Sequence, residues 1–354
     1  MQSADQFLSE VTPQCSVADW DRIYNSDKDA MPSQSHAWAN AICKTGGYEM
    51  QRRKYLFSDG IEAAISLFSK GSNRNPLRIL RSPPAAWGFG GPVSTRPLGA
   101  GHLQAVLDDC ARLPGAAIQI RPNPVTADIW AEAAANTRWV ALPRNAHVLD
   151  LAGGFDEVWS HRFPGRIRTL ARKAEKNGIT VETGSSADIV TEFDALFRLS
   201  ILRWARKQNE FRWLASLRGH LRDPRHKFLE MARLCADLMR VTIARKDGKA
   251  IAGIVVLYGR NAHYTRGAMD EQAVGNSGAN ALLHVTAIRE ACERQCRMYH
   301  MGESGASTSL AAFKTQFGAV GYPYAEFRHE RLPILSADQK LRAIAKRVIG
   351  FRDV

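Results

Sequence analysis

The stretch that most constrains the fold runs from Val241 to Arg294. Val241–Ala244 and Ala250–Tyr258 read as strands joined across Lys246-Asp247-Gly248-Lys249, where Asp-Gly supplies the turn of a tight hairpin. Gly259-Arg260-Asn261 turns the chain again into a third strand, Ala262–Met269. Regular alternation in that strand puts Tyr264, Arg266 and Ala268 on one face. A loop from Asp270 to Ser277 then enters a helix over Ala279–Arg294, with Leu283, Ala287 and Ala291 aligned every four residues. Three meandering strands and a helix packed back on them leave few α/β architectures open.

With 354 residues, the chain has room for two domains of ordinary size. Its hydrophobic fraction of 45% and charged fraction of 23% are those of a globular protein. No apolar run approaches the roughly eighteen residues of a membrane span. The first ten residues lack the basic and apolar regions of a signal peptide, and six scattered cysteines form no disulfide ladder. A cytoplasmic protein is expected. The net charge of +13 favours an anionic partner, whether nucleic acid, a phosphorylated coenzyme or an acidic lipid surface.

The first part of the chain predicts helices around Trp20–Tyr24 and after Pro32-Ser33-Gln34-Ser35, then a hairpin, Arg53–Phe57 and Ile61–Ser69, turning at Asp59-Gly60. A strand over Leu77–Pro84, a helix over Leu103–Leu113, a strand over Ala117–Arg121, a helix over Asp128–Asn136 and a strand over His147–Leu151 follow. Gly88-Phe89-Gly90-Gly91 superficially suggests a phosphate loop, but no helix starts on it and prolines flank it, so a structural turn is expected. From Arg162 to Lys176 the chain is a basic amphipathic helix, and Ile179–Glu182 a strand. A second basic and aromatic segment runs from Arg203 to Arg222; it reads as a solvated face or as a nucleic-acid contact.

After a strand at Met298–Met301 comes Gly302–Gly318, a loop of small residues leading into a short helix that Ser307, Thr308 or Ser309 can cap and Gly318 can end. Leu310, Phe313 and Phe317 make an apolar stripe, and Lys314 falls in the same stripe. Such a lysine either snorkels out along its stem or is held as a cation against a pocket. Tyr322–Arg328 reads as the last strand.

Together these features resemble the FemAB/CelD branch of the GNAT acyltransferase superfamily. The residues that carry the resemblance are Phe163–Val181, Asp247-Gly248-Lys249-x-Ile251-Ala252-Gly253, Tyr264-x-Arg266-x-Ala268-x-Asp270, Asn280-x-Leu282-Leu283 and Leu310-x-x-Phe313-Lys314-x-x-Phe317-Gly318. Pro32-x-Gln34-x-x-x-Trp38 is the best echo in the first half. The resemblance implies an α/β protein of two tandem GNAT-like domains, each a mixed, mostly antiparallel sheet flanked by helices. They would occupy residues 1–150 and 151–330, followed by a basic amphipathic tail helix at 331–354. It implies acyl or aminoacyl transfer to an amine of a cell-envelope or polysaccharide intermediate. The donor would be acyl-coenzyme A or aminoacyl-tRNA, with no tightly bound cofactor and no metal. Of the GNAT phosphate signature, Gln/Arg-x-x-Gly-x-Gly/Ala, Gln272-x-x-Gly275-x-Ser277 keeps only part.

By the same resemblance Lys314 would stabilise the developing oxyanion and Phe313 would shape its pocket. Arg266, Tyr264, Asp270, Ser304 and Trp38 would bind substrate, Arg266 and Tyr264 by gripping a phosphate or carboxylate; Gly275, Gly278 and Asn280 would bind the donor. Asp270, Glu303 and His300 are the titratable groups nearest in sequence, and none is singled out as a base. Two alternatives stand beside this reading: an acyl-coenzyme A-dependent enzyme acting on a small amine or amino sugar, and a non-catalytic basic module binding RNA or a membrane surface. In the tail, Leu341, Ile344, Ala345, Val348 and Ile349 form one helical face among basic residues, which would dock on the protein itself or touch an anionic membrane. Cys292, Cys296 and His300, spaced at four, lack a fourth ligand for zinc, and Ser304 lacks the full nucleophile elbow of a serine hydrolase.

Overall fold

Asp247 and Gly248 both take positive φ, 50° and 76°, as a twisted two-residue hairpin requires. They join β9 (Met239–Lys246) to β10 (Lys249–Tyr258), and β11 (Ala262–Met269) completes the antiparallel meander. The computed structural model describes residues 8–71, 75–305, 307–348 and 350–351. The chain divides into two compact units, residues 1–146 with 322–342 and residues 147–321 with 343–354.

In chain order the first unit contains β1 (Leu8–Thr12), α1 (Val17–Ser26), α2 (His36–Gly46), β2 (Tyr48–Phe57), β3 (Glu62–Lys70), β4 (Ile79–Ser82), β5 (Val93–Ser94), α3 (Ala100–Arg112), β6 (Ala117–Ile120), α4 (Ala127–Ala134) and the first part of β7 (Val140–Asp150). Its main strands lie in the order β1-β2-β3-β4-β6. All neighbours are antiparallel except β4 and β6. Alternating residues such as Tyr55, Ile65, Leu80, Ile118 and Ile120 meet Leu103, Val106, Leu107 and Trp130 of the covering helices. The glycine-rich turn is structural, as expected. Gln34 donates to the carbonyls of Gly90 and Gly91, and the Gly90 N–H bonds Arg121.

The second unit continues through α5 (Gly154–Glu157), α6 (Gly165–Lys176), β8 (Thr180–Gly184), α7 (Ala187–Lys207), α8 (Arg212–Arg222), α9 (Arg225–Leu234), the meander, α10 (Glu271–Val274), α11 (Ala279–Glu293), β12 (Met298–Glu303) and α12 (Thr308–Thr315). The order β12-β11-β10-β9-β8 is antiparallel apart from β11 and β12. Ala252, Ile254, Val256 and Tyr258 point to α6 and α11 in one core. The intervening Gly253 lies against Phe193 of α7, so helices cover both faces.

Three expectations are corrected. The last strand, β13 (Val320–Glu330), was expected to close the second domain. From Tyr322 it belongs to the first unit, where Phe327 pairs opposite Ile120 and stacks on Trp130 at 5.3 Å. The tail helix, α13 (Ile334–Val348), likewise contributes to the first unit as far as Arg342. Second, Tyr264 and Arg266 do not share a face. A β-bulge at Thr265 sets Tyr264 opposite Val256 and Arg266 opposite Val255, so an extra residue breaks the alternation. Third, Leu310 is 37% exposed, and Lys314 is the buried residue of α12.

Gly278 ties α11 to α6. Its φ is +84°, and a Cβ there would lie 2.3 Å from the Leu170 carbonyl oxygen. Gly278→Ala is therefore expected to destabilise the protein by about 1 kcal/mol or more, from left-handed strain plus backbone crowding. Chemical denaturation measures it; an unchanged midpoint would show that the two helices part freely.

Candidate active site

The site is built where β12 ends. Gly302 turns the chain at φ +72°, and Ser307 caps α12 by accepting from the Leu310 N–H. One turn of helix later Lys314 points back. Its Nζ donates to the carbonyls of Gly302 (2.9 Å) and Glu303 (2.7 Å), and the residue is only 2% exposed. Burial favours the neutral amine and lowers the ammonium from its usual 10.5 to about 8, against the opposing pull of the Glu303 carboxylate.

Around Lys314 the second unit gathers buried histidines. His284 of α11 packs edge-on against Tyr264 (4.7 Å between ring centres) and Phe313 (5.5 Å), and tilted against Phe317 (4.9 Å). Burial and then the Lys314 charge push its imidazolium down to about 3. His300 falls to about 3 through burial alone. Burial also lowers His263 and His147, assisted by His300 in the first case and by Lys314 in both. The histidines are thus neutral at pH 7, and the titration that burial places near neutrality is that of Lys314.

Phe313 and Phe317 also wall a cavity of about 360 Å³. Its other walls are Arg166, Ile167, Leu170 and Lys173 of α6, the segment from Val274 to Gly278, and Ala279, Asn280 and Ala281 at the start of α11. The helix offers the positive end of its dipole there, and the two cations of α6 add to it. This combination suits a phosphate-bearing ligand.

Of the residues expected at the site, Phe313, Gly275, Gly278 and Asn280 line this cavity, and Lys314 follows Phe313 in the chain with its ammonium turned to the Gly302 and Glu303 carbonyls. Asn280 donates to the Met269 sulfur at 3.2 Å and fixes the helix start against β11. Tyr264 joins the rings around His284, and Ser304 is buried immediately after the Glu303 carbonyl. The others are engaged elsewhere. Arg266 lies 3.7 Å from the buried Asp223 carboxylate and donates to its neighbouring Thr265 carbonyl. Asp270 caps α10 through the Gln272 and Ala273 N–H groups. Trp38 lies buried in the first unit, its indole donating to the Trp87 carbonyl. Sequence reasoning missed His284, and it read Arg166 and Lys173 only as members of a charge run. The partial phosphate signature ahead of α11 was the available signal for a partner helix bringing cations to it.

The lowered lysine makes stability depend on pH. Between about pH 8 and 10.5 the unfolded chain binds the proton and the folded chain does not. The penalty is complete below pH 8 and disappears as pH rises through 10.5. Relative to Lys314→Met, the wild type should gain stability across that window in denaturation experiments; a flat difference would contradict the burial argument.

Residues 160–315 match the family model for an acetyltransferase (GNAT) domain. No curated protein matches the sequence. Among solved structures, FemX is similar with a TM-score of 0.69 at 15% identity, covering 96% of this chain and 100% of that one. The C-terminal DUF2156 domain of a putative lysylphosphatidylglycerol synthetase from Agrobacterium fabrum gives a TM-score of 0.54 at 14% identity, covering 95% and 96%. A conserved protein of unknown function from Bacteroides thetaiotaomicron gives 0.54 at 12% identity, covering 89% and 97%. The likeness to FemX spans both units, and the residues that match the acetyltransferase (GNAT) model lie in the second.

Proposed function

We propose that this acyltransferase moves an acyl or aminoacyl group from a phosphate-bearing carrier to an amine on a cell-envelope or polysaccharide intermediate. The observation that carries the reading is Lys314, buried, bonded to two backbone carbonyls and next in the chain to Phe313, which lines a cationic cavity. As the amine nitrogen attacks, the C–N bond forms and negative charge collects on the acyl oxygen; the bond from the acyl carbon to its carrier then breaks, and the proton shed by the amine goes to the departing carrier atom. Two of the three ammonium N–H groups go to Gly302 and Glu303, leaving the third for that oxygen. A preorganised donor in a dry site is worth roughly 3 kcal/mol. Phe313 shapes the approach, with Tyr264 and Ser304 on the acceptor side. Arg166, Lys173 and the α11 start, including Gly275, Gly278 and Asn280, hold the donor phosphates.

Acyl-coenzyme A is the second reading for the donor, favoured by the same helix start and its two cations. Aminoacyl-tRNA is supported by the likeness to FemX and to the lysylphosphatidylglycerol synthetase domain. A thermal-shift comparison of acetyl- and long-chain acyl-coenzyme A with aminoacyl-tRNA separates them; strong stabilisation by the coenzyme alone would demote the tRNA reading. Among the described residues no helix is long and apolar enough to cross a membrane. A peripheral contact through α13 is consistent with its exposed Leu341 and Ile344; the Val348 side chain and Ile349 lie outside the described residues.

With the identified donor, Lys314→Met should lower kcat at least about tenfold with the fold intact by circular dichroism. Because the cation is the active form, wild-type kcat/KM should fall as pH rises through about 8. Lys314→Arg should move that limb upward; unchanged turnover in Lys314→Met would remove the residue from the mechanism.

A further inference from the structure

The mechanism uses nothing of α8, yet its surface is unusual. Ala215 and Gly219 are its buried residues, and Gly219 sits so close to α7 that a Cβ would meet Ile201 Cδ1 at 2.6 Å. The opposite side of the helix carries Trp213, Leu217 and Leu221, exposed by 68%, 51% and 77%, with Leu214 beside them and Phe211 at the helix start. Single exposed apolar residues are ordinary on a protein surface, but a stripe of this length facing water is not.

Charge identifies what covers it. Residues 203 to 222 contain six basic side chains and one acid. That acid, Glu210, is buried, as is Asp223 at the end of the helix, so both anions are turned inward. Arg206 and Lys207 are exposed while pairing with Glu271, as are Arg218 with Glu210 and Arg222 with Asp223, and Arg212 is exposed next to Trp213. A second copy docked on this face would set these cations against themselves. A nucleic acid would satisfy them, but Leu217 and Leu221 have no π face for a base and no donor for a phosphate. An exposed Trp and leucines ringed by arginines match the layered chemistry of an anionic bilayer surface, with apolar groups in the acyl boundary and cations among the headgroups.

We infer that α8 is an interfacial helix that seats the protein on anionic membranes through Trp213, Leu217 and Leu221, with Arg212 at the headgroups. This surface is distinct from the exposed face of α13 and would bind lipid whatever group the transferase carries. Co-sedimentation of the full-length protein with vesicles of phosphatidylcholine, alone or mixed with phosphatidylglycerol, tests it. The wild type should bind the mixed vesicles at least about tenfold more tightly than the neutral ones, and high salt should weaken that binding. L217D/L221D should lose at least about tenfold of it while keeping its circular dichroism and thermal midpoint, because both side chains face solvent. L341D/I344D on α13 should retain it.

Equal binding by L217D/L221D, or no preference for the anionic vesicles, would overturn the inference. So would loss of binding in L341D/I344D alone. A wild type that binds RNA but no vesicles would return the face to nucleic acid.

Discussion

The ammonium of Lys314 and the carbonyls of Gly302 and Glu303 form the interaction on which the rest of the site depends. A charge taken out of water must be met by polar partners or give up its proton, and here both tendencies act. The carbonyls hold the cation, while burial brings its release down to about pH 8. The bonds also fix the geometry of the chain. They tie the last turn of α12 to the end of β12, and they depend on the left-handed turn at Gly302. The surrounding imidazoles add no competing charge, because burial keeps them neutral.

A second close approach builds the other half of the site. Gly278 lets the Leu170 carbonyl come within 2.3 Å of where a Cβ would stand, so α6 lies directly against the start of α11. That contact brings Arg166 and Lys173 to the positive end of the helix dipole. The cationic cavity is therefore a consequence of backbone packing in the second unit. Phe313 and Phe317 connect its wall to the rings around His284, and the chain between them carries Lys314.

The elements legible in the sequence were those governed by local chemistry. Asp247-Gly248 announced its hairpin, Ser307 its helix, and the awkward lysine its place toward the interior. What escaped depended on distant partners. The Thr265 bulge leaves no compositional mark, yet it sends Tyr264 toward α11 and Arg266 toward Asp223. Leu310 fits the apolar stripe by spacing, but α12 is short and turns Lys314 inward instead. The placement of β13 follows from pairing with β6 some two hundred residues earlier, which no local pattern encodes. His284 looked like any helix residue because its role comes from the rings that surround it.

The central claim is that Lys314 is a buried cation poised beside the donor cavity. The direct measurement is an NMR titration of the lysine Cε resonances, with Lys314→Met supplying the assignment, before and after the cavity is filled. The account predicts a midpoint near pH 8 for the free protein, shifting upward when an anionic donor is bound. A midpoint at the ordinary lysine value of about 10.4, unmoved by the donor, would contradict it.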